Sequence, residues 1–134
     1  MVDTSVLIGF FKGDRNPKVE LLEKVIERQL PFGIASYTYQ EVLQGARDEA
    51  EYDKLKEYLS TQKIYFLQET VETYEKTARL FFDLRRKGIT PRSTIDIFIT
   101  IIALEQSLFL LHNDKDFDVI SNKLPDIKIL KKVD

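Results

Sequence analysis

The segment that most constrains the fold of this chain is STIDIFITIIALE, Ser93 to Glu105. Between Ile95 and Leu104 eight of the ten residues are apolar, which is typical of a helix buried on most of its sides. Asp96 nevertheless lies near the start of this run. Burying an unpaired carboxylate is strongly unfavourable, so we expect Asp96 to be neutralised, hydrogen-bonded, paired with a cation or bound to a metal.

Short apolar runs alternate with longer amphipathic runs along the rest of the chain. The pattern predicts helices in SVLIGFF up to Gly13, PKVELLEKVIERQL, Ser36 to Ala46, EAEYDKLKEYLS, TVETYEKTARLFFDLRRKG, Ser93 to Gln106 and a short piece around DKDFDVIS. It predicts strands in MV, FGIA, IYFL, LFLLH and IKIL. Strands separated by helices indicate an α/β fold with three layers, in which helices flank a central, mostly parallel sheet.

Length and composition limit the classes of protein to which the chain can belong. Its 134 residues contain no linker-like tract, so we expect a single domain over residues 1–134. The absence of cysteine excludes disulfides, thiolate zinc sites and a cysteine nucleophile. No signal region or membrane-length apolar run is present, and we expect a cytoplasmic protein. The net charge of −2 gives no global signature of nucleic-acid binding.

Four acidic residues fall at positions that this topology brings to one edge of the sheet. Asp3 ends the first strand, Glu41 lies early in the helix after the second, Asp96 begins the buried helix, and Asp114 follows LFLLH. In parallel sheets ligands bind beyond the carboxyl ends of the strands. We therefore expect the four carboxylates to converge there.

Each of these acids also has a structural interpretation as a helix cap or turn residue. Four converging carboxylates, however, repel one another unless cations are present. Clustered carboxylate oxygens favour Mg²⁺ or Mn²⁺, whereas a single histidine and no cysteine provide poorly for zinc. A carboxylate site of this kind suits metal-assisted hydrolysis of phosphodiesters, with one ion activating water and a second stabilising the leaving oxygen.

The segments VDTSVLIGFF, SYTYQEVLQGA and GITPRSTIDIFITIIALEQSLFLLHNDKDFD, in this order and spacing, resemble PIN-domain ribonucleases of the VapC toxin type. The resemblance covers nearly the whole chain. It implies that Asp3, Glu41, Asp96 and Asp114 form the catalytic site and hold one or two Mg²⁺ or Mn²⁺ ions. It also implies hydrolysis of RNA, such as tRNA or another structured RNA, inhibition of translation, a homodimer, and a VapB-type antitoxin whose tail covers the site.

Three positions depart from the family pattern. The first strand has only two residues before Asp3, which makes the direction of that carboxylate less secure. His112 stands where Thr or Ser is usual, either as a structural residue or as a contact to phosphate or metal. Asp116 is a second acid close to Asp114, and it either joins the metal site through a water or caps the following helix.

Neighbouring residues have candidate supporting roles. Thr4 and Ser5 follow the first acid at a helix start, where they can hold a metal-bound water or simply cap the helix. Thr100 lies one turn after Asp96 and can bond either to that carboxylate or to its own helix. A basic stretch before the buried helix supplies candidate RNA contacts, Arg92 foremost, together with Arg85, Arg86 and Lys87.

The sequence thus favours a Mg²⁺- or Mn²⁺-dependent endoribonuclease that needs no protein nucleophile. Two alternatives remain open. A catalytically inactive PIN-like module for binding or regulation would use its carboxylates as caps or to dock a partner's arginines. A nuclease directed at DNA, or a phosphatase, would use the same ions on another substrate.

Overall fold

The computed structural model describes all residues from 1 to 134. Its helices are α1 Thr4–Lys12, α2 Pro17–Glu27, α3 Ser36–Gln44, α4 Glu49–Ser60, α5 Val71–Arg86, α6 Thr94–Glu105 and α7 Lys115–Lys123. Its strands are β1 Gly33–Ala35, β2 Lys63–Tyr65, β3 Phe109–Leu110 and β4 Lys128–Ile129. No helix is both long enough and apolar enough to span a bilayer.

The strands form one parallel arrangement with the amino-terminal residues at its centre. β1 pairs in parallel with β2, and β3 pairs in parallel with β4. Val2 forms a parallel bridge with Leu111, and its N–H donates to the carbonyl of Gly33 at 2.9 Å. Residues 1–3 therefore connect the two pairs in the order β2, β1, residues 1–3, β3, β4. The predicted central parallel sheet is confirmed.

Apolar side chains cover both faces of this sheet. Consecutive strand residues belong to opposite sides: Ile34 and Leu111 belong to one buried cluster, Ala35 and Leu110 to the other. The first cluster takes side chains from α1, α2, α3 and α4, and the second takes them from α5, α6 and α7. The result is the predicted three-layer arrangement, helices against sheet against helices.

Helix α6 is buried because its apolar residues cover nearly its whole circumference. Ile97, Ile99, Ile101, Ile102 and Ala103 are all buried in the second cluster. Ser93 caps the helix by accepting the N–H of Ile95 at 3.1 Å. Asp96, in the first turn, is only half-buried, so the carboxylate lies at an accessible end of this otherwise buried helix.

Several predicted boundaries differ from the observed ones. The helix predicted up to Leu30 ends at Glu27, because Gln29 adopts a left-handed φ of 54° and Leu30 bonds back to the carbonyl of Val25. The strands predicted as IYFL and LFLLH pair only over Lys63–Tyr65 and Phe109–Leu110. The first strand is reduced to the bridge at Val2. Apolar runs indicate burial, but the length of a strand depends on where its partner ends.

Candidate active site

Asp3 caps the amino-terminal end of α1, and this cap fixes its side chain. Its Oδ2 accepts the backbone N–H of Ser5 at 3.1 Å and the Ser5 hydroxyl at 2.6 Å. The same hydroxyl oxygen accepts the N–H of Asn113 at 2.9 Å. Ser5 therefore ties the first acid to the loop that leads into Asp114, although 108 residues separate Ser5 from Asn113. The short first strand does not leave Asp3 unrestrained.

Glu41 reaches the same region from the first turns of α3. The Thr4 hydroxyl donates to its Oε1 at 3.3 Å. Because Thr4 directly follows Asp3, this contact sets the Glu41 side chain beside the start of α1. Thr4 and Ser5 thus orient two acids through their hydroxyl groups.

The closest group of carboxylates consists of Asp96, Asp114 and Asp116. One oxygen from each side chain lies within 4.8 Å of the other two. Asp114 caps α7 by accepting the N–H of Asp116 at 2.9 Å, which turns both side chains toward the start of α6. Asp116 does not cap α7, because the capping residue is Asp114; its carboxylate instead lies in this group of acids.

These residues border an open depression of about 500 Å³ on the surface. Its lining is mostly polar and comprises Tyr37, Gln40, Glu41, Gln44, Arg92, Ser93, Ile95, Asp96, Asp114 and Asp116. Asp3 is only 6% exposed and does not line the depression. Of the four acids in the family pattern, three border the opening and one lies buried close to them.

The carboxylates raise one another's proton affinity. Burial raises the pKa of Asp96 from an ordinary 3.8 to about 6, and the charges of Asp114, Asp3, Asp116 and Glu41 add to the shift. Burial also raises the pKa of Glu41, with a contribution from Asp3. For Asp3 burial raises the pKa, while the hydrogen bonds from Ser5 oppose the shift. The site therefore favours a bound cation or a proton.

A guanidinium supplies positive charge to one side of the cluster. Arg92 Nε donates to Asp116 Oδ2 at 2.9 Å, and its Nη2 lies 3.8 Å from Asp114 Oδ1. The residue predicted as the best RNA contact thus borders the depression, and there it is paired with the acids. Arg85, Arg86 and Lys87 do not line the depression, and Arg86 instead lies 5.6 Å from the centre of the Phe82 ring.

His112 is buried beneath the loop that carries Asp114. The N–H of Asp114 donates to its Nδ1 at 3.2 Å, so Nδ1 is unprotonated and the ring proton is on Nε2. Burial lowers the pKa of His112 and favours this neutral form. The ring packs against Phe117, and Asp118 Oδ1 lies 3.6 Å from Nε2. His112 supports the backbone of the acidic loop.

Some site residues were absent from the sequence prediction. Gln40 and Gln44 line the depression on the same face of α3 as Glu41, where the spacing of three and four residues is a signal that the sequence contains. No pattern in the sequence predicts the hydrogen bond between the Asn113 N–H and the Ser5 hydroxyl oxygen. Thr100 donates to the backbone carbonyl of Asp96 at 2.8 Å and makes no hydrogen bond to the carboxylate.

The donor set fits a hard divalent cation. Three carboxylate oxygens within 4.8 Å of one another match the ligands that Mg²⁺ and Mn²⁺ take in proteins, and the open depression leaves room for water and a phosphate. Besides burial, the neighbouring carboxylates raise the pKa of Asp96, and a cation among them would relieve that repulsion. A bound ion supplies Lewis-acid activation of water and of a phosphoryl oxygen.

A parallel α/β sheet with a carboxylate cluster beyond its strand ends is an arrangement suited to metal-assisted hydrolysis of phosphodiesters. The sequence profile of the PIN domain matches residues 1–123. This chain belongs to the PIN domain family.

Individual proteins resemble the chain over most of its length. It is 25% identical over 122 residues to the VapC ribonuclease Mb1587 of Mycobacterium bovis and to ribonuclease VapC11 of Mycobacterium tuberculosis, covering 90% of this chain and of each relative. The structure of VapBC-1 from nontypeable Haemophilus influenzae superposes with a TM-score of 0.66 at 22% identity. That match covers 97% of this chain and 95% of the other, so the predicted fold is confirmed. The PIN profile and the VapC relatives confirm the predicted resemblance to VapC-type PIN domains.

Proposed function

We propose that this chain is a Mg²⁺- or Mn²⁺-dependent endoribonuclease and the toxin of a toxin–antitoxin pair. The observation that carries the proposal is the group of Asp96, Asp114 and Asp116, with oxygens within 4.8 Å of one another on the wall of an open depression. The relatives called VapC ribonucleases supply the substrate class, RNA. Its action on cellular RNA would take place in the cytoplasm.

In this proposal the role of each site residue follows from its position. Asp96, Asp114 and Glu41 hold the ion or ions, and Asp116 assists through a water or directly. Asp3, the fourth proposed ligand, is buried close to this group and held by Ser5, whose hydroxyl oxygen also accepts the N–H of Asn113 and so fixes the acidic loop. Gln40 and Gln44 line the approach and supply amide groups for hydrogen bonds to the RNA. No residue is required as a covalent nucleophile, because the attacking group is water.

The proposed partners follow from the same relatives. The VapBC neighbour supports a VapB-type antitoxin, and we propose a homodimer as the form that acts on structured RNA such as tRNA, with inhibition of translation as the result. A second depression, of about 1120 Å³ and lined partly by the apolar side chains of Ile8, Phe11 and Tyr58, shares Glu41 with the first. An antitoxin segment lying there would reach the acidic site. Light scattering of the purified protein tests the dimer.

The function is tested by incubating purified protein with total cellular RNA and with single-stranded and duplex DNA. Each substrate is supplied with Mg²⁺, with Mn²⁺ or with chelator. Attack by water does not use the ribose 2′-hydroxyl, so the proposal predicts metal-dependent RNA fragments that carry a terminal phosphate and no cyclic phosphate. It also predicts that the RNA fragments map to a limited set of positions.

Two substitutions of equal chemistry provide the comparison. Asp96→Asn removes one charge from the site, which lies beyond the carboxyl ends of the strands. Asp126→Asn removes an exposed charge next to the amino-terminal end of β4. The proposal requires loss of cleavage in the first variant and normal cleavage in the second. Cleavage of DNA alone would instead assign a DNA-directed nuclease. Absence of both cleavage and metal binding would assign a PIN-like binding module.

A further inference from the structure

Arg92 forms every ion pair that the acids bordering the depression make. Its Nε donates to Asp116 Oδ2 at 2.9 Å, and its Nη2 lies 3.8 Å from Asp114 Oδ1. No other lysine or arginine lies within ion-pair distance of Asp3, Glu41, Asp96, Asp114 or Asp116. Arg92 is therefore the one basic side chain that pairs with this group of acids.

The exposure of the partners is unequal. The side chain of Arg92 is 76% exposed, whereas those of Asp114 and Asp116 are 30% and 23% exposed. Arg92 precedes α6 in a segment without helical hydrogen bonds, and its long side chain reaches the acids from the solvent side. Asp114 is held by its capping bond, and the exposed guanidinium is the part that can leave at little cost.

Arg92 and a divalent cation would use the same oxygens. Asp114 and Asp116 supply two of the three oxygens that lie within 4.8 Å of one another, and both are already in contact with the guanidinium. A divalent ion in that group would lie a few ångströms from the fixed positive charge. At such separations like charges repel appreciably even where water screens them. Binding of the Arg92 guanidinium to these carboxylates therefore disfavours binding of a divalent ion to the same carboxylates, and binding of the ion disfavours the guanidinium.

We propose that Arg92 is a tethered competitor of the divalent cation, which neutralises Asp114 and Asp116 until the ion binds and is then released to hold a phosphate of the substrate. This inference rests on the proposed function and adds a substrate-binding residue to it. The released guanidinium would stay at the rim of the depression, anchored just before α6, where it can form paired hydrogen bonds to phosphate oxygens. Metal loading and RNA binding are then coupled through one side chain.

The first test is calorimetric titration of the RNA-free protein with Mn²⁺ and with Mg²⁺. Arg92→Gln should tighten binding of the ion by roughly three- to tenfold, because a competing positive charge is removed from the ligand oxygens. Arg86→Gln is the matched control, since it removes the same charge from a side chain that contacts Phe82 and none of the acids. It should change the affinity less than twofold. An unchanged or weaker affinity in Arg92→Gln overturns the proposal.

The second test distinguishes displacement from simple charge repulsion. The Nε–H signal of Arg92 in nitrogen-15 spectra is identified by its absence in Arg92→Gln and followed while Mg²⁺ is added. Release from Asp116 should shift this signal to the position of a solvated arginine and increase its exchange with water. A signal that keeps its hydrogen-bonded position at saturating Mg²⁺ overturns the displacement.

The outcomes separate this inference from the proposed function. If the wild-type protein binds Mg²⁺ and cleaves RNA but Arg92→Gln binds the ion no more tightly, only the role of Arg92 is wrong. If the wild-type protein neither binds a divalent ion nor cleaves RNA, the proposed function fails, and the role of Arg92 fails with it. In the active protein at saturating Mg²⁺, Arg92→Gln should raise KM for RNA severalfold with a smaller effect on kcat.

Discussion

Replacing Asp96 with asparagine should stabilise the protein in the absence of divalent ions. The Asp96 carboxylate is half-buried, accepts no hydrogen bond, and is surrounded by the charges of other acids. Asparagine has nearly the same shape and no charge. The variant therefore removes an unfavourable charge from the folded state without opening a cavity.

The size of the effect follows from the pKa. The interval between an ordinary pKa of 3.8 and about 6 corresponds to about 3 kcal/mol at about 1.4 kcal/mol per pH unit. Because the carboxylate is half-exposed, solvent screening reduces this to about 1–1.5 kcal/mol at pH 7.5. For a chain of this length that gain raises Tm by about 3–6 °C.

The stability difference between Asp96→Asn and wild type depends on pH, and the raised pKa of Asp96 determines the direction of that dependence. The pKa of Asp96 is higher in the folded protein than in the unfolded chain, so the protonated carboxyl favours folding below pH 3.8. This advantage of the wild-type protein is lost as the pH rises through about 6. The difference in unfolding free energy between Asp96→Asn and wild type should therefore be small at pH 4 and reach its full value above pH 7.

Urea unfolding in the presence of chelator, at pH 4 and at pH 7.5, measures this difference. Asp126→Asn, which changes an exposed carboxylate, should leave the free energy of unfolding within about 0.5 kcal/mol of wild type at both values. If Asp96→Asn is no more stable than wild type at pH 7.5, or if the gain is equally large at pH 4, the charge of Asp96 does not destabilise the folded protein.

Three further predictions concern the same structure. Affinity for Mn²⁺ should fall as the pH drops below about 6, because Asp96 then takes up a proton; calorimetry over pH 5–8 measures this. Ser5→Ala should cost about 1–3 kcal/mol and reduce cleavage, because the buried carboxylate of Asp3 loses a hydrogen bond and Asn113 loses its acceptor; Ser60→Ala, at an exposed hydroxyl, should change neither. Gly33→Ala should destabilise by about 1–3 kcal/mol, because its Cβ would lie 2.5 Å from a carbonyl of β2, whereas Gly45→Ala meets only ordinary contacts of 3.5 Å.

These predictions can each be contradicted independently. A metal affinity that is constant from pH 5 to 8 would show that Asp96 does not compete for a proton in this range. Equal stabilities of Ser5→Ala and Ser60→Ala would mean that the link to Asn113 has no energetic weight. A Gly33→Ala protein as stable as Gly45→Ala would show that β1 and β2 separate easily.

The sequence predicted the parts of the site that depend on the chain's periodicity. An acid inside an apolar helical run singles out Asp96, and the alternation of strands with helices places Asp3, Glu41 and Asp114 at one edge of the sheet. These inferences need only the direction in which each strand runs and the element that follows it. They hold even though the strands are shorter than expected.

Other features depend on side-chain directions that no periodicity contains. Asp116 joins the tightest group because Asp114 caps α7, and Asp3 is turned to Ser5 by its own cap. The pairing of Arg92 with Asp116 spans 24 residues and depends on the course of the segment before α6. A sequence records which residues have charge, but the partner of each charge is decided by the packed backbone.

We propose that the acids bordering the depression make this PIN domain an RNA hydrolase that requires a divalent ion. The most direct test is the rate of cleavage of total RNA with Mg²⁺ or Mn²⁺ by wild type, Asp96→Asn and Asp126→Asn at equal concentration. We predict cleavage by wild type and Asp126→Asn that chelator abolishes, and a loss of at least about a hundredfold in Asp96→Asn. Cleavage by Asp96→Asn at the wild-type rate, or cleavage that persists in chelator, would contradict the account.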